Sequence, residues 1–595
     1  MVNPRSPRAD DVGCGPTFAF PPRRPAPARL LRHPVTVATA TAALLHLLWF
    51  FTLANGGGDL AAQDAWAEFA GRHPGSAYNL AWYGGMHPVS YSVVSPYVMS
   101  VLGVRTTMML AGTVSAALLA VVLVRSGAVR KPLWPALAGV AALLCNTASG
   151  RVTFGLGMMF ALAAAALVVG PSARLRGHRW AKAAVTAALA ALATACSPVA
   201  GLYAGLAAVA LFLQRRRPAA YALGLAPLAV VAFSAWLFPF SGTQPMPFGS
   251  AVLPVVFGML VALLVPAEWK TVRFTAVVDS LAILLAWLIS SQVGSNITRL
   301  AMLFAGVALL AALPFTVPRS RKWYAILAAF AGFTVWIGVK TVDDVVRTAP
   351  AAAWSGELAP LVKQLRKAEA GSGRVEVVPA RSHREASALA PYVNLARGWN
   401  RQADMGRNPL FYDGTLDAKT YRAWLDRWAV HHVVLPADKP DSGGEREREL
   451  VRDGLPYLRP VWSDAHWRLF AVSDPAPIAG PHARVVRTAQ DEVTLKVAEA
   501  GTILVRIPYS PWLSIVDEAG ESLPAPHETE ASKRARQGDS DRPKQYENAN
   551  GCLKPAEENP AGDRWTQLLT PGPGTYRLAA PYRIPRGTPC PDGLR

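Results

Sequence analysis

Residues 35–66, VTVATATAALLHLLWFFTLANGGGDLAAQDAW, change character halfway. The first part, 35–54, is an unbroken apolar run of the length a helix needs to cross a ~30 Å hydrocarbon core. The second part leaves that run through three glycines and reaches two carboxylates, Asp59 and Asp64. Leu60, Trp66, Phe69 and Ala70 recur at near-helical spacing, which predicts a short amphipathic helix lying in the membrane interface. Asp is favoured at helix N-caps, so Asp59 is expected to cap that helix and is available for chemistry besides.

Runs like the first recur at 105–124, 133–149, 152–170, 181–200, 202–214, 220–238, 250–266, 274–291, 300–316 and 324–342, giving eleven candidate spans. Beyond residue 343 they stop. A chain of 595 residues with 51% apolar composition and mean hydropathy +0.21 is too long for one domain. The fold class expected is a polytopic α-helical membrane bundle followed by an α/β plus β-sandwich domain outside the membrane. The expected divisions are a disordered tail (1–34), the bundle (35–342) with a long first outer loop (55–104), an α/β domain (343–475) and a β-rich domain (476–595).

The net charge of +20 does not point to nucleic acid, because much of it sits in short loops. Arg125, Arg130 and Lys131 form one cluster, and Arg174, Arg176 and Arg179 a second. Arg215–Arg217, Lys270 with Arg273, and Arg319, Arg321 and Lys322 follow, all in alternate turns. With eleven spans they share one side, which the positive-inside rule makes cytoplasmic. The N-terminus is then inside a plasma membrane and the C-terminal domain outside it. A further span over 90–103 would invert the pattern, so that segment is not expected to cross.

In the first outer loop, Trp82, Tyr83, Tyr91 and Tyr97 read as an interfacial aromatic belt. In the C-terminal part, 374–380, 429–436 and 466–473 are strand-like and 418–428 helical, while 480 onward alternates like successive strands. Residues 528–548 are strongly charged and expected to form a mobile loop. Cys552 and Cys590 lie in an oxidising compartment if the topology holds, and are expected to form a disulfide. Cys145 and Cys196 read as buried thiols, and Cys14 has no evident role.

The eleven-span topology brings several polar groups to the outer surface. The first loop supplies Asp59, Asp64, Glu68 and His87. The turn after the third span supplies Asn146 and Arg151, and the turn before the tenth supplies Gln292, Asn296 and Arg299. Sugar transfer from a lipid-linked phosphate suits such a set. Arginine holds a phosphate bidentately, and a carboxylate takes the proton of an attacking hydroxyl. Asp59 and Asp64 are five residues apart, about 140° around a helix, so they cannot work as a facing pair. Asp279 within a span, with Arg273 as expected partner, and Trp399, Arg401 and Asp404 as glycan contacts are further candidates.

An acidic residue just after the first span, in a long outer loop, followed by an odd-membered bundle and an outer domain, resembles the GT-C superfamily of membrane glycosyltransferases. The segments CSPVAGLY (196–203), SNITRLAMLFAG (295–306) and ARGWNRQADMGRNPLFYDG (396–414) resemble large cell-envelope membrane proteins of high-GC bacteria, often labelled transporters. The resemblance implies an inverting transferase with Asp59 or Asp64 as base and Arg151 and Arg299 as phosphate clamps. His87, Asn146 and Asn296 are candidate substrate contacts. Its implied partners are the lipid bilayer, a polyprenyl-phosphate sugar donor and a glycan or glycoprotein acceptor. No metal ligand set is evident, and a divalent metal stays open. Two other readings compete: a transporter or lipid-linked-sugar flippase, and a non-catalytic envelope scaffold.

Overall fold

The computed structural model describes residues 31–54, 57–170, 178–240, 242–348, 357–537 and 544–594. Most of the tail expected to be disordered lies outside these residues, as do Cys14, Arg174, Arg176 and part of the charged 528–548 segment. The described flanks of that segment form a two-stranded pairing and a short helix, Glu530–Gln537.

The helices of the N-terminal part are α1 (Pro34–Thr52), α2 (Asp59–Arg72), α3 (Ser95–Leu102), α4 (Val104–Arg125), α5 (Leu133–Ala148), α6 (Val152–Val169) and α7 (Arg179–Cys196). They continue as α8 (Pro198–Leu213), α9 (Arg217–Leu237), α10 (Phe248–Leu264), α11 (Lys270–Leu288), α12 (Arg299–Ala312) and α13 (Arg321–Thr348). The eleven apolar runs coincide with α1 and α4–α13. Among the described residues, seven helical segments are long and apolar enough to cross a membrane, which makes this a multi-pass membrane protein. Residues 90–103 yield only the eight-residue α3, about 12 Å long and too short to span.

The two ends of the bundle differ. At one end the basic turns are neighbours: Arg130 donates to the Pro314 carbonyl (3.1 Å), and Thr271 to Gln214 (3.0 Å). At the other end the turns meet the first loop and the C-terminal half. Val93 N–H donates to the Ala195 carbonyl (2.9 Å) and Thr243 N–H to the Gln402 carbonyl (3.2 Å).

Most aromatics of the first loop are packed inside the protein. Trp66, Phe69, Trp82, Tyr83 and Met86 are buried in one core with Leu361, Val375, Val434 and Leu469 of the α/β unit. Tyr78 and Leu80 join the core of the β-rich unit instead. The near-helical spacing in α2 was real, but its second face is covered by chain some 300 residues away (Trp66 to Val375, for example), so nearly the whole helix is buried. Each such aromatic contributes about 1.5–3 kcal/mol on burial, which makes the loop the joint between the bundle and the C-terminal units. Asp59 does not cap α2. Gly58 does, with φ 62°, and its N–H donates to the Ser382 carbonyl at 2.7 Å. Such a φ suits glycine far better than any other residue.

In the α/β unit, β1 (Arg374–Val377) and β2 (Val430–Pro436) pair in parallel, and β3 (Leu458–Ser463) and β4 (Trp467–Val472) complete the order β1-β2-β4-β3. The β-rich unit stacks two four-stranded sheets, with orders β10-β11-β8-β5 and β6-β7-β12-β9, where β5 is Ala479–Gly480, β6 Ala483–Thr488, β7 Glu492–Val497, β8 Gly501–Pro508, β9 Ser514–Val516, β10 Cys552–Pro555, β11 Trp565–Thr570 and β12 Gly574–Ala579. Alternate residues of facing strands, such as Leu495, Val505, Leu568 and Leu578, fill the space between the sheets.

Cys552 and Cys590 are joined in a disulfide that closes a loop of 38 residues. Replacing both by Ser is expected to lower the stability of the β-rich unit by about 3–4 kcal/mol, through the released loop entropy. Urea unfolding followed by tryptophan fluorescence would report the loss.

Candidate active site

Two cavities meet where the bundle faces the C-terminal units. The larger, about 960 Å³, has a polar head and an apolar tail. Asp59, Gln63, Tyr91, Arg151, Asn296 and Arg299 line the head, with Trp399 and Arg401 closing it from the α/β unit. The tail runs between α8 and α9, past Leu202, Leu206, Val209 and Phe212 on one wall and Tyr221, Leu225, Leu228 and Val231 on the other. From Ser197 to Phe212 it follows α8 for about 22 Å, most of a bilayer core. Its rim is open, since Leu225 and Leu228 are 59% and 66% exposed.

The smaller cavity, about 310 Å³, is polar and lies toward α13 and the α/β unit. Asp59, Arg151, Trp399 and Arg401 line both, so these four form the shared wall.

The turn that carries Arg151 is held firmly. Gln63 donates to the Gly150 carbonyl (2.7 Å) and accepts from Thr153 N–H (2.9 Å). Gly150 has φ 71°, and a Cβ there would lie 2.8 Å from Leu60, so glycine lets this turn close against α2. Arg151 donates to Asp344 (2.8 Å), which Ser149 also binds (2.9 Å). The nearest approach of Arg151 to Asp59 is longer, 3.8 Å. The Asp59 carboxylate is thus adjacent to a guanidinium that another carboxylate holds, and 39% of it remains accessible from the cavities.

Arg299 opens α12 half-buried, over the Phe154 ring (5.1 Å), and donates to the Asn296 side-chain oxygen. Among the described residues no carboxylate lies within 4 Å of it. Asp59 is close enough to act on it electrostatically but makes no contact pair, and a guanidinium drawn out of water without one is only partly compensated and favours an anion in the cavity. Burial, with Asp59 nearby, pushes the Tyr91 phenol well above its ordinary value, so it stays a hydrogen-bond donor.

The structure brings Asp59, Arg151, Asn296 and Arg299 together and leaves other candidates elsewhere. Asp64 is gripped through both oxygens by Arg105 (2.9 Å for one arm) and lines neither cavity. Glu68 pairs with Arg72 and Gln490. Asn146 is buried in α5, away from both cavities. Arg273 donates to the Ala262 carbonyl rather than to Asp279, which is buried in α11. Asp404 points into the α/β unit, bound by Asn408 (2.9 Å) and Tyr412.

His87 is a clasp between the first loop and the β-rich unit. Its Nδ1 bonds the Ala77 carbonyl (2.7 Å) and its Nε2 the Ser510 hydroxyl (3.1 Å). Burial lowers its pKa from 6.5 to about 4. The unfolded chain therefore takes up this proton first, so the stability His87 contributes is complete above about pH 6.5 and lost as pH falls toward 4. The loss is at most about 3 kcal/mol. The melting temperature of the C-terminal units is expected to fall across that window, and His87→Gln should flatten the fall in a scanning-calorimetry series.

Asp344 and Gln63 were not legible as site residues by spacing alone, while Arg401 and Trp399, read as glycan contacts, do line both cavities. Arg401 donates to Asp441 (2.7 Å) and Tyr412 (2.9 Å), and its guanidinium stacks over Trp399 at 5.0 Å. Trp399 is covered on its other face by His383, ring centroids 3.4 Å apart. Among the described residues no three His, Cys, Asp or Glu side chains gather as a metal ligand set.

Residues 480–595 match a domain family of unknown function (DUF8823). No curated protein sequence matches the chain significantly. Among solved structures, the chain is similar to the cryo-EM structure of the arabinofuranosyltransferase AftD from mycobacteria, with 18% identity and a TM-score of 0.43. That match covers 76% of this chain and spans 42% of the length of AftD.

Proposed function

We propose that the chain is an inverting membrane glycosyltransferase that moves a sugar from a polyprenyl-phosphate donor to a cell-envelope acceptor on the outer face of the plasma membrane. The observation that carries this reading is an apolar groove of near-bilayer length that ends on Arg151, Arg299 and Asp59. A lipid tail fits the groove, and a phosphate fits the half-buried Arg299, which has no carboxylate in contact among the described residues. The positive-inside rule supports an outer location, since the basic turns cluster at the opposite end of the bundle.

In the proposed reaction, an acceptor hydroxyl attacks the anomeric carbon from the side of the shared wall. Asp59 accepts the hydroxyl proton as the new C–O bond forms. The bond from the anomeric carbon to the phosphate oxygen breaks, and the polyprenyl phosphate leaves with the electron pair. Arg151 and Arg299 neutralise its growing charge, which strengthens their interaction most in the transition state. One base and one leaving group on opposite faces of the sugar give inversion. Asp344 keeps the Arg151 fork oriented.

A carrier would be expected to place its polar groups near the membrane midplane. Here they gather at one end of the bundle, which favours transfer over transport. Purified protein in detergent decides between them. With a polyprenyl-phosphate sugar and an envelope glycan fraction, a transferase turns over without a sealed membrane. Activity that appears only in sealed vesicles, as movement of the donor between leaflets, would establish the flippase instead.

A further inference from the structure

The smaller cavity has a charge balance that restricts what it can hold. Four arginines line it: Arg151, Arg347, Arg381 and Arg401. Four carboxylates line it too: Asp59, Asp344, Asp441 and Glu445. Its one histidine, His383, is pushed down to about 3 by burial and is neutral at physiological pH. The lining therefore carries four positive and four negative charges and no net charge.

Most of these charges are already matched. Arg151 binds Asp344 (2.8 Å), Arg401 binds Asp441 (2.7 Å) and Arg347 binds Asp343 (2.7 Å). An anion on Arg347 or Arg401 would have to displace a carboxylate and leave it unpaired, while Arg381, which holds no ion pair among the described residues, is outnumbered in the lining by Asp59 and Glu445. Removing one partner of a partly buried pair is strongly unfavourable. A hydroxyl-rich neutral molecule meets no such penalty. Its hydroxyls donate to the free lone pairs of the carboxylates and accept from the remaining guanidinium N–H groups, leaving the pairs intact. The Ser149 and Ser442 residues add further polar lining, and Trp399 and Pro440 supply apolar surface for C–H faces. A cavity of about 310 Å³ has room for about one or two sugar rings, not for a folded partner.

We infer that this cavity is a saccharide subsite selective for the end of a neutral glycan, against anionic glycans and proteins. That it serves the acceptor rests on the transferase reading above, because the cavity adjoins the donor groove only through the wall formed by Asp59, Arg151, Trp399 and Arg401.

The test is binding, read without donor and without turnover. Full-length protein in detergent is titrated with maltotetraose and linear arabinotetraose as neutral probes and with tetragalacturonate as the anionic probe, followed by saturation-transfer NMR. At least one neutral probe is expected to bind, with affinity changing less than about twofold from about 0.05 to about 0.5 M salt, since no net charge is neutralised. Tetragalacturonate is expected to bind about tenfold more weakly or not at all. In Asp441→Asn combined with Glu445→Gln, the lining gains two positive charges and the ranking should reverse. Tighter, salt-sensitive binding of tetragalacturonate to the wild type would overturn the inference, as would failure of every neutral probe. Neutral binding without any sugar transfer would leave the subsite standing and remove only its assignment to the acceptor.

Discussion

Asp59→Asn is expected to reduce sugar transfer by about 10²- to 10⁴-fold, the range that general-base catalysis supplies. Donor affinity should be nearly unchanged. The amide keeps the shape of the carboxylate, and Asp59 lies 3.8 Å from Arg151, which takes its closer ion pair from Asp344. The loss should therefore fall on kcat rather than KM, the mark of an interaction made in the transition state. Asp64→Asn gives the contrast. Its carboxylate is bound by Arg105 outside both cavities, so the change should affect folding or yield more than the chemistry of transfer. Equal activity of wild type and Asp59→Asn, with normal folding, would remove Asp59 from the mechanism.

The second large effect is expected at Gly205, on the α8 wall of the apolar groove. A Cβ built at Gly205 meets no heavy atom within 4 Å, so a large side chain enters the groove without disturbing the helices around it. Leaving glycine also favours the helix itself. In Gly205→Trp the indole would fill the space that a lipid tail requires. Excluding about three methylenes of the tail costs about 2 kcal/mol, or roughly 30-fold in donor affinity. A donor with a two-isoprene tail, too short to reach this level, should be affected far less. A matched loss for both donors would mean that the tail lies elsewhere.

These residues also show how much the sequence could reveal. Apolar run length and the placement of Lys and Arg are local properties, so the helices and the two unlike ends of the bundle could be read directly. The first loop could not. Trp66 and Trp82 look like interfacial residues until Leu361, Val375 and Val434, far along the chain, close over them. Gly58 replaces Asp59 as the cap of α2 because the turn needs a positive φ, which no propensity scale encodes. Asp59, Arg151 and Arg299 were legible because residues at one end of alternate spans share a leaflet. The sequence places Asp59 ahead of Asp64, but it could not show why Asp64 is occupied, because that depends on Arg105, a residue 41 positions after Asp64. The same holds for Asp344: α13 carries it beyond the last apolar run to the back of Arg151. The groove arises from the spacing of two helices and a glycine between them, which hydropathy alone does not express.

The most direct test of a one-base transfer at Asp59 is the configuration of the product. NMR of the new glycosidic linkage, made by purified protein from a donor of known anomeric form, should show inversion, and Asp59→Asn should make little of that product. A linkage of retained configuration, or inverted product formed at the wild-type rate by Asp59→Asn, would contradict the mechanism.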